Sequence, residues 1–316
     1  MPDNVIETHG LTHYYGKRKS VDSLDLAVPR GSVFALLGLN GSGKTTTIRL
    51  LLGLLEPARG RATVLGHDSA TLPPQVLGRI GYMNEEHQVY GWMRVDEIER
   101  FQTGFYPRWN RDVFAAVTEH FNLDRRAKVR HLSRGERAGL SLALTLAPET
   151  ELLILDDPGL GLDTIVRRSL MEAMVYVTRD SNRTILFSSH ILTEVERVAD
   201  RIAILDRGVL RANCALDTFR ERVRRVSLRF DRPPDRPPDI PGLLHFSILD
   251  DRLTLTIANY TPQTEQQLRA LNPREMEDLP LSLEEAFISY VQSPCKSTLL
   301  LSRLSPRQGC TDDCPP

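Results

Sequence analysis

The chain has 316 residues, 41% of them hydrophobic, and a formal net charge of −1. This length is sufficient for one large domain or two moderate ones. The near-neutral net charge excludes an overall positive electrostatic potential that would attract nucleic acid. Three of the four cysteines, Cys295, Cys310 and Cys314, lie near the C-terminus, which excludes a disulfide framework and predicts a reducing, cytoplasmic environment. No His or Cys pair close to Cys310 and Cys314 completes a metal site, so we expect a frayed tail there.

The N-terminal sequence MPDNVIETHG has no basic segment followed by an apolar one, so it does not predict a signal peptide. No uncharged run approaches the ~18 residues that predict a membrane span, and the longest such run, Gly31–Gly43, is rich in glycine. We therefore expect that any membrane-spanning part of a complex with this protein belongs to another chain.

Short apolar segments alternate with helical patterns over the first two thirds of the chain, and this predicts an α/β fold with a mostly parallel sheet covered on both faces. Leu170, Met174 and Val177 recur at i, i+4 and i+7, which marks one apolar face of a helix. We predict buried strands at Val33–Leu37, Leu152–Leu155, Thr184–Phe187 and Ile202–Leu205, and helices at Thr45–Leu55, Ser141–Leu146, Asp163–Thr178 and Ile191–Val198.

The sequence pattern changes after about Arg225. The segment Asp231–Asp239 reads DRPPDRPPD, and its prolines exclude a helix or a central strand, so it predicts an exposed loop. We predict a small α+β domain over residues 226–293 and a disordered tail over residues 294–316. Its predicted elements are a strand at Val226–Phe230, a hairpin of Leu243–Leu249 with Leu253–Ala258, and a helix through Val291 that opens with a capping box at Ser282–Glu285.

A glycine-rich segment between a predicted strand and a predicted helix fits G-x-x-x-x-G-K-[ST], the phosphate-loop (Walker A) motif. Its glycines let backbone amides turn around a β-phosphate, and the following helix contributes its N-terminal dipole and free N–H groups. Its lysine neutralises the β- and γ-phosphates, and the next hydroxyl ligates Mg²⁺. The motif predicts a nucleotide site formed by Gly38, Asn40, Gly41, Ser42, Gly43, Lys44, Thr45 and Thr46.

Two adjacent carboxylates follow a second predicted strand, in the sequence LLILDDPGLGLD of Leu152–Asp163. In phosphate-loop proteins the first acidic residue after this strand holds Mg²⁺, usually through water, and that residue is Asp156. Asp157 is then placed beside the position from which water attacks the γ-phosphate. The sequence predicts that one carboxylate faces the cation and the other faces the water.

Several motifs stand in one order along the chain and are specific as a set. They are HYYG with Tyr15, the phosphate loop, IGYMNEEHQ (Ile80–Gln88), LSRGE (Leu132–Glu136), LLILDDPGLGLD and SSH (Ser188–His190). Over about residues 4–225 the chain resembles the ATP-binding subunit of bacterial ABC transporters, most closely the single-domain ATPases of exporters. The resemblance implies a P-loop NTPase of ABC type over residues 1–225, with a helical subdomain at about 86–148.

The resemblance also implies an ATPase that powers transport through a separate integral membrane permease, on the cytoplasmic face of the membrane. Two such chains, as a homodimer or a heterodimer, join head to tail around two ATP molecules. Within one chain Tyr15 stacks on adenine and His190 contacts the γ-phosphate. Ser133 and Gly135 of LSRGE reach the γ-phosphate that the partner binds, because an exposed phosphate loop lacks enough donors to surround it.

The chain departs from the usual family pattern at three motifs. Glu85 stands where a glutamine normally ligates Mg²⁺, so we expect a carboxylate ligand there and a second candidate for the catalytic step. Arg134 and Glu136 replace a glycine and a glutamine, and Arg134 faces either phosphate or solvent. Asp157 replaces the glutamate that acts as general base and is one methylene shorter. Because a misplacement of about 1 Å costs about a hundredfold in rate, we expect slow hydrolysis.

Two other functional classes are open at this point. A soluble ABC-type ATPase that serves ribosomes or DNA is disfavoured, because the chain has neither a second ATPase domain nor a long coiled coil nor a basic stripe for nucleic acid. A nucleotide sensor with little turnover is kept open by Asp157 and LSRGE. The aromatic residues of Phe101–Trp109 either pack the helical subdomain or line a groove for the permease. The sequence identifies neither the transported substrate nor the direction of transport.

Overall fold

The computed structural model describes residues 3–106, 108–179, 183–234, 236–292 and 301–302. Its strands are β1 Asn4–Tyr15, β2 Arg18–Leu24, β3 Ala27–Pro29, β4 Val33–Leu37, β5 Arg59–Val64, β6 His67–Asp68, β7 Ile80–Met83, β8 Leu152–Leu155, β9 Thr184–Ser189, β10 Arg201–Asp206, β11 Val209–Ala215, β12 Arg224–Arg229, β13 Leu243–Leu249, β14 Arg252–Ile257, β15 Glu275–Leu279 and β16 Leu301–Ser302. Its helices are α1 Lys44–Leu51, α2 Pro74–Leu77, α3 Val95–Thr103, α4 Arg111–His120, α5 Arg134–Leu146, α6 Thr164–Arg179, α7 Leu192–Val198, α8 Leu216–Arg222, α9 Pro262–Ala270 and α10 Leu283–Gln292.

The central sheet has the strand order β16-β11-β10-β4-β9-β8-β7, and β10, β4, β9, β8 and β7 run parallel. Phe34 and Leu36 of β4 pack into one hydrophobic cluster, and Ala35 and Leu37 pack into another on the opposite face. Both faces are covered, which explains why these strands are continuously apolar. The predicted α/β fold is confirmed, and the carboxyl ends of β4, β8, β9 and β7 all meet at one edge of the sheet.

A second, antiparallel sheet combines strands from before the phosphate loop with β5 and β6 from after α1, and it was not predicted from the sequence. Its order is β2-β1-β5-β6, and β3 pairs with β1. Val5, Ile6 and Leu11 of β1 pack in the same cluster as Ile48 of α1. This sheet therefore covers α1 and brings the β1–β2 hairpin next to the phosphate loop.

Between β7 and β8 lie the helices α3, α4 and α5, inside the range expected for a helical subdomain. The helix predicted at Ser141–Leu146 begins earlier, at Arg134. Ser133 is its N-cap: the Ser133 hydroxyl accepts from the Glu136 N–H at 3.2 Å, and the Ser133 N–H donates to the Glu136 carboxylate at 2.7 Å. This capping box explains the early start, because it satisfies N–H groups that a helix leaves free at its first turn.

The C-terminal part forms a sheet of order β13-β14-β12-β15 with α9 and α10. The elements predicted from the sequence are present within a few residues of their predicted bounds, whereas β15 and α9 were not predicted. Tyr290 of α10 packs 5.4 Å from Phe219 of α8, ring centre to ring centre, inside the main buried cluster. We call residues 224–292 the appendage, and this contact joins it to the ATPase core.

The predicted tail at residues 294–316 falls outside the described residues, together with Cys295, Cys310 and Cys314, except for Leu301–Ser302, which pair with Ala212–Asn213 of β11. Throughout the part of the chain that the structure describes, no helix is both long enough and apolar enough to cross a membrane.

Candidate nucleotide-binding site

The phosphate loop joins β4 to α1 through backbone conformations that only glycine adopts readily. Gly41 has a φ of 76° and Gly43 a φ of 108°. A Cβ on Gly43 would lie 2.4 Å from the Ser20 carbonyl oxygen, and one on Gly38 would lie 2.6 Å from the Leu205 carbonyl oxygen. The glycine spacing is thus required by close backbone packing, and it leaves the first N–H groups of α1 free to face a phosphate.

Lys44 is buried at the start of α1 and lies inside the loop. Its ammonium Nζ donates to the carbonyl oxygens of Gly38 at 2.8 Å and Leu39 at 3.3 Å. Burial lowers the pKa of Lys44, and the nearby carboxylates Asp157, Asp156 and Glu85 act in the opposite direction. A cation that has lost its hydration in this way is prepared to exchange carbonyl contacts for phosphate oxygens.

Asp156 follows β8 and is almost completely buried, with 1% of its surface exposed. Its Oδ1 accepts from the hydroxyl of Ser188 at 2.8 Å and from that of Thr45 at 3.1 Å. Burial raises the pKa of Asp156, while these two hydrogen bonds and Lys44 oppose the rise. The arrangement places two hard oxygen donors, of Thr45 and Asp156, side by side at the floor of the cleft.

This donor set fits Mg²⁺, which prefers oxygen ligands and keeps several waters. Among the described residues, no group of three His, Cys, Asp or Glu side chains is placed to hold a metal by itself. An ion held by Thr45 and Asp156 would therefore take its remaining ligands from phosphate and water, as is usual for nucleotide-bound Mg²⁺.

Asp157 is held by its neighbours on both its backbone and its side chain. It has a φ of 42°, in the left-handed region that non-glycine residues rarely adopt. Its N–H donates to the Ser188 hydroxyl at 2.8 Å, and its Oδ2 lies 2.7 Å from His190 Nδ1. Strained backbone of this kind is found at functional sites, and here it turns the carboxylate toward His190.

The side chains gathered around Lys44 form a cleft of about 520 Å³. Glu85, from the segment after β7, faces this cleft, and burial together with Asp156 and Asp157 raises the pKa of Glu85. Tyr15 lies at the mouth of the cleft with 49% of its surface exposed. The cleft is lined by Tyr15, Arg18, Ser20, Asn40, Gly41, Gly43, Lys44, Thr45, Thr46, Glu85, Asp156, Asp157 and Leu160.

Three of these residues were missed by sequence reasoning: Arg18, Ser20 and Leu160. Arg18 and Ser20 belong to β2, and only the pairing of β1 with β2 brings them beside the phosphate loop. Their proximity to Tyr15 in the sequence was the one available signal. Leu160 belongs to the LLILDDPGLGLD segment, but its own side chain is apolar and gave no indication that it lines the site.

Among the residues described as lining this cleft, Ser133 and Gly135 are not found. Gly135 faces Val166 of α6. Arg134, expected to face phosphate or solvent, is exposed to solvent and donates through Nη2 to the Leu160 carbonyl oxygen at 3.0 Å. Its guanidinium lies so close to Gly161 that a Cβ there would clash with it. The LSRGE segment is thus tied to the loop after Asp157 of the same chain.

Comparison with known proteins agrees with this geometry. Residues 21–159 match the ABC transporter family. The bacitracin transport ATP-binding protein BcrA of Bacillus licheniformis is 33% identical over 248 residues, which span 78% of this chain and 81% of that protein. The chain belongs to the ABC transporter ATP-binding protein family. As a member of this family it binds ATP and is an ATPase whose hydrolysis is coupled to transport.

Solved structures of this family share the fold. An ATP-binding subunit of an ABC transporter superposes with a TM-score of 0.62 at 30% identity, over 69% of this chain and 92% of that chain. The ATP-binding cassette MJ0796, solved as a dimer in a post-hydrolysis state with ADP and phosphate, superposes with a TM-score of 0.59 at 18% identity, over 67% of this chain and 98% of that chain. The second likeness concerns the fold alone.

Proposed function

We propose that this ABC ATPase works as a head-to-tail pair of chains, docked on a separate integral membrane permease at the cytoplasmic face of the membrane. The single observation that carries the proposal is the cleft around Lys44. It holds the phosphate-loop cation and the carboxylates Asp156 and Asp157, yet it is open to the surface rather than enclosed. A second chain is needed to complete it and exclude water.

Each ATP lies with its phosphates on the loop Gly38–Gly43 and at the N-terminus of α1. Lys44 binds the β- and γ-phosphates, and Tyr15 stacks on the adenine at the mouth of the cleft. Thr45 and Asp156, with Glu85 lining the same cleft, would hold Mg²⁺. When bound, Mg²⁺ neutralises charge that develops on the phosphate oxygens.

His190 and Asp157 act on the γ-phosphate and on the attacking water, respectively. His190 uses Nδ1 for the contact with Asp157, which leaves Nε2 for the γ-phosphate. Asp157 orients the attacking water or accepts its proton. Because its carboxylate is short and turned toward His190, we propose slow turnover and long-lived ATP-bound dimers.

The head-to-tail arrangement is supported by LSRGE. Ser133 is exposed and Gly135 is half-buried at the start of α5, and a helix N-terminus is a site suited to an anion. The dimeric cassette MJ0796 shares the fold. We expect sedimentation velocity with Mg²⁺ and a non-hydrolysable ATP analogue to show dimers. Ser133→Arg should block dimer formation while a single chain still binds the analogue.

The controls separate association from binding. Arg229→Ala, on the appendage sheet, should dimerise like the native protein. A native chain that stays monomeric with the analogue, both alone and with its permease, would contradict the head-to-tail proposal.

The permease is proposed to dock on an aromatic surface of the helical region. Tyr90, Trp92, Phe101 and Phe105 are 51%, 66%, 39% and 65% exposed. Their rings contact one another, with centroids 5.6 Å apart for Tyr90–Phe101 and 5.0 Å for Phe101–Phe105. Clustered exposed aromatics mark interaction sites. Trp92→Ala with Phe105→Ala should abolish co-purification of the permease, whereas Leu249→Ala, an exposed apolar residue of the appendage, should not.

A further inference from the structure

Two contacts join the loop after β8 to the segment after β9. The first is the contact between Asp157 and His190, at 2.7 Å. The second lies between Arg167 of α6 and Glu194 of α7, whose Nε and Oε1 are 3.3 Å apart. Glu194 stands one helical turn after His190 in the sequence, so whatever fixes Glu194 also fixes the segment that carries His190.

The Arg167 guanidinium makes two contacts, through Nη2 and through Nε. Its Nη2 donates to the Leu162 carbonyl oxygen at 2.7 Å, in the loop that follows Asp157, while its Nε faces Glu194. Gly159 of the same loop lies directly on the pair, because a Cβ there would be 2.9 Å from Arg167 Cγ and 3.5 Å from Glu194 Oε1. The loop, α6 and α7 therefore meet at this one ion pair.

Glu194 is also held from the β9 side. Its Oε2 accepts from the Ser189 hydroxyl at 3.5 Å, and the same hydroxyl accepts from the Ile191 N–H at 3.0 Å. Ser189 and Ile191 flank His190 directly. A displacement of Glu194 is thereby passed to both neighbours of His190.

The pair is poorly arranged to stabilise the fold. The Glu194 side chain is only 10% exposed and that of Arg167 23% exposed, and neither Glu194 Oε1 nor Arg167 Nε has a well-directed hydrogen bond. A buried ion pair of this kind recovers little of its desolvation cost. Its retention in the fold is better explained by the geometry that it imposes on the residues around it.

We propose that Arg167 and Glu194 are positioning residues that hold Asp157 and His190 at their working separation. Neither residue lines the cleft around Lys44. The pair acts on the chemical step through the loop after β8 and the segment after β9, and it leaves ATP binding at the phosphate loop unchanged. This inference rests on the proposed roles of Asp157 and His190.

Ionisation of Glu194 is part of this arrangement. The charged groups that face it are Arg167 from α6, Asp157 from the loop after β8, and His190. Burial raises the pKa of Glu194 to about 7, opposed by Arg167 and assisted by Asp157. Below this pH the carboxyl is protonated and loses its attraction to Arg167. The turnover number should therefore fall as the pH drops below about 7.

The test measures steady-state ATP hydrolysis by the full chain in complex with its permease, together with ATP binding by calorimetry. Glu194→Gln keeps the shape of the side chain and removes its charge. We expect kcat to fall by ~10- to 100-fold, as for a misplacement of about 1 Å, with KM and ATP affinity within about twofold of native. The variant should also lack the decline of kcat below about pH 7.

A matched control lies one residue away on the same helix. Arg168 and Glu172 form an exposed ion pair, with Nε and Oε1 2.7 Å apart. Glu172→Gln should leave kcat, KM and the pH profile at native values. Arg167→Gln is the second test of the positioning pair and should reproduce the loss of kcat at unchanged ATP affinity, so the inference can still be tested if Glu194→Gln folds poorly.

The outcomes distinguish this inference from the proposed function. If Asp157→Asn is inactive while Glu194→Gln and Arg167→Gln retain native kcat, the positioning role is wrong and the role of Asp157 stands. If Asp157→Asn retains the native rate, the proposed role of Asp157 is wrong and the positioning inference fails with it. A loss of kcat accompanied by an equal loss of ATP affinity also contradicts positioning, because it indicates general damage to the site.

Discussion

The ATPase core and the appendage use charged side chains in opposite ways. In the core, Lys44, Asp156 and Asp157 are buried, and at Lys44 and Asp156 burial disfavours the charged form. In the appendage, charges lie at the surface in close pairs, such as Arg229–Asp251 at 2.6 Å. Exposed ion pairs contribute little to the free energy of folding, because water already solvates both charges. Charges that a fold buries at a cost are therefore the better indication of function.

The largest effect is expected at Asp157. Asp157→Asn should lower kcat by at least ~100-fold while ATP binding persists, because the amide cannot accept a proton and orients water poorly. Asp157→Glu should match or exceed the native rate if only reach limits turnover, and should be slower if the backbone at φ 42° has adapted to the shorter side chain. Phosphate release measured at saturating ATP gives both numbers.

The corresponding change in the appendage, Asp251→Asn, should leave kcat at the native value. If Asp157→Asn hydrolyses ATP at the native rate, the base must lie elsewhere, with Glu85 and His190 the next candidates.

The second effect is the loss of ATP affinity on removing the Lys44 cation. Lys44→Ala should weaken ATP binding at least tenfold, about 1.4 kcal/mol, because one fixed cation no longer faces the β- and γ-phosphates. Isothermal titration calorimetry measures it directly. Arg229→Ala removes a cation of the appendage and should not change ATP affinity. Native affinity in Lys44→Ala would overturn the assignment of the phosphate loop.

The sequence predicted those parts of the fold that depend on local pattern. Continuous apolar strands and the phosphate-loop glycines are short-range features, and both appear where expected. The antiparallel sheet of β1, β2 and β5 was not predicted, because its strands mix exposed and buried positions and β1 pairs with β5 across a long separation.

The sequence predicted which residues belong to the site, but it did not predict which of them contact one another. The sequence placed Asp156, Asp157 and His190 at strand ends, which suffices to bring them to one edge of the sheet. It gave no indication that Asp157 turns toward His190 or that Arg134 contacts Leu160. Those contacts depend on side-chain directions and on a left-handed backbone at Asp157, which a sequence pattern does not encode.

The third effect is the change of folding stability with pH. Stability falls with rising pH at Glu194 in the core, and it falls with decreasing pH at Glu285 in the appendage. The folded protein holds a proton on Glu194 up to about pH 7, whereas the unfolded chain releases it near 4.5. Native stability is thus lost as pH rises through this window. Relative to Glu194→Gln, the native protein should lose up to about 3 kcal/mol between pH 4.5 and pH 8. Urea unfolding at several pH values measures this difference, and Glu172→Gln should follow the native curve.

The smallest effect is expected at Glu285 in the appendage. The Arg225 guanidinium, 2.6 Å from the Glu285 carboxylate, and hydrogen bonds from Ser282 lower the pKa of Glu285 to about 2. This contribution is present above the unfolded pKa of 4.5 and is lost as pH falls toward 2. Because the pair is well exposed to solvent, we expect Glu285→Gln to cost only about 0.5–1 kcal/mol at pH 7 and less as the pH is lowered to 3.5.

The neighbouring Glu284→Gln provides the control, since it removes an equal charge from the first turn of α10 while the Arg225–Glu285 contact stays in place. ATP affinity and kcat should be native in both variants. A cost at pH 7 well above 1 kcal/mol for Glu285→Gln, or any fall in kcat, would show that this surface pair reaches the ATPase core. The contrast between functional buried charges and inert exposed pairs would then fail within the appendage itself.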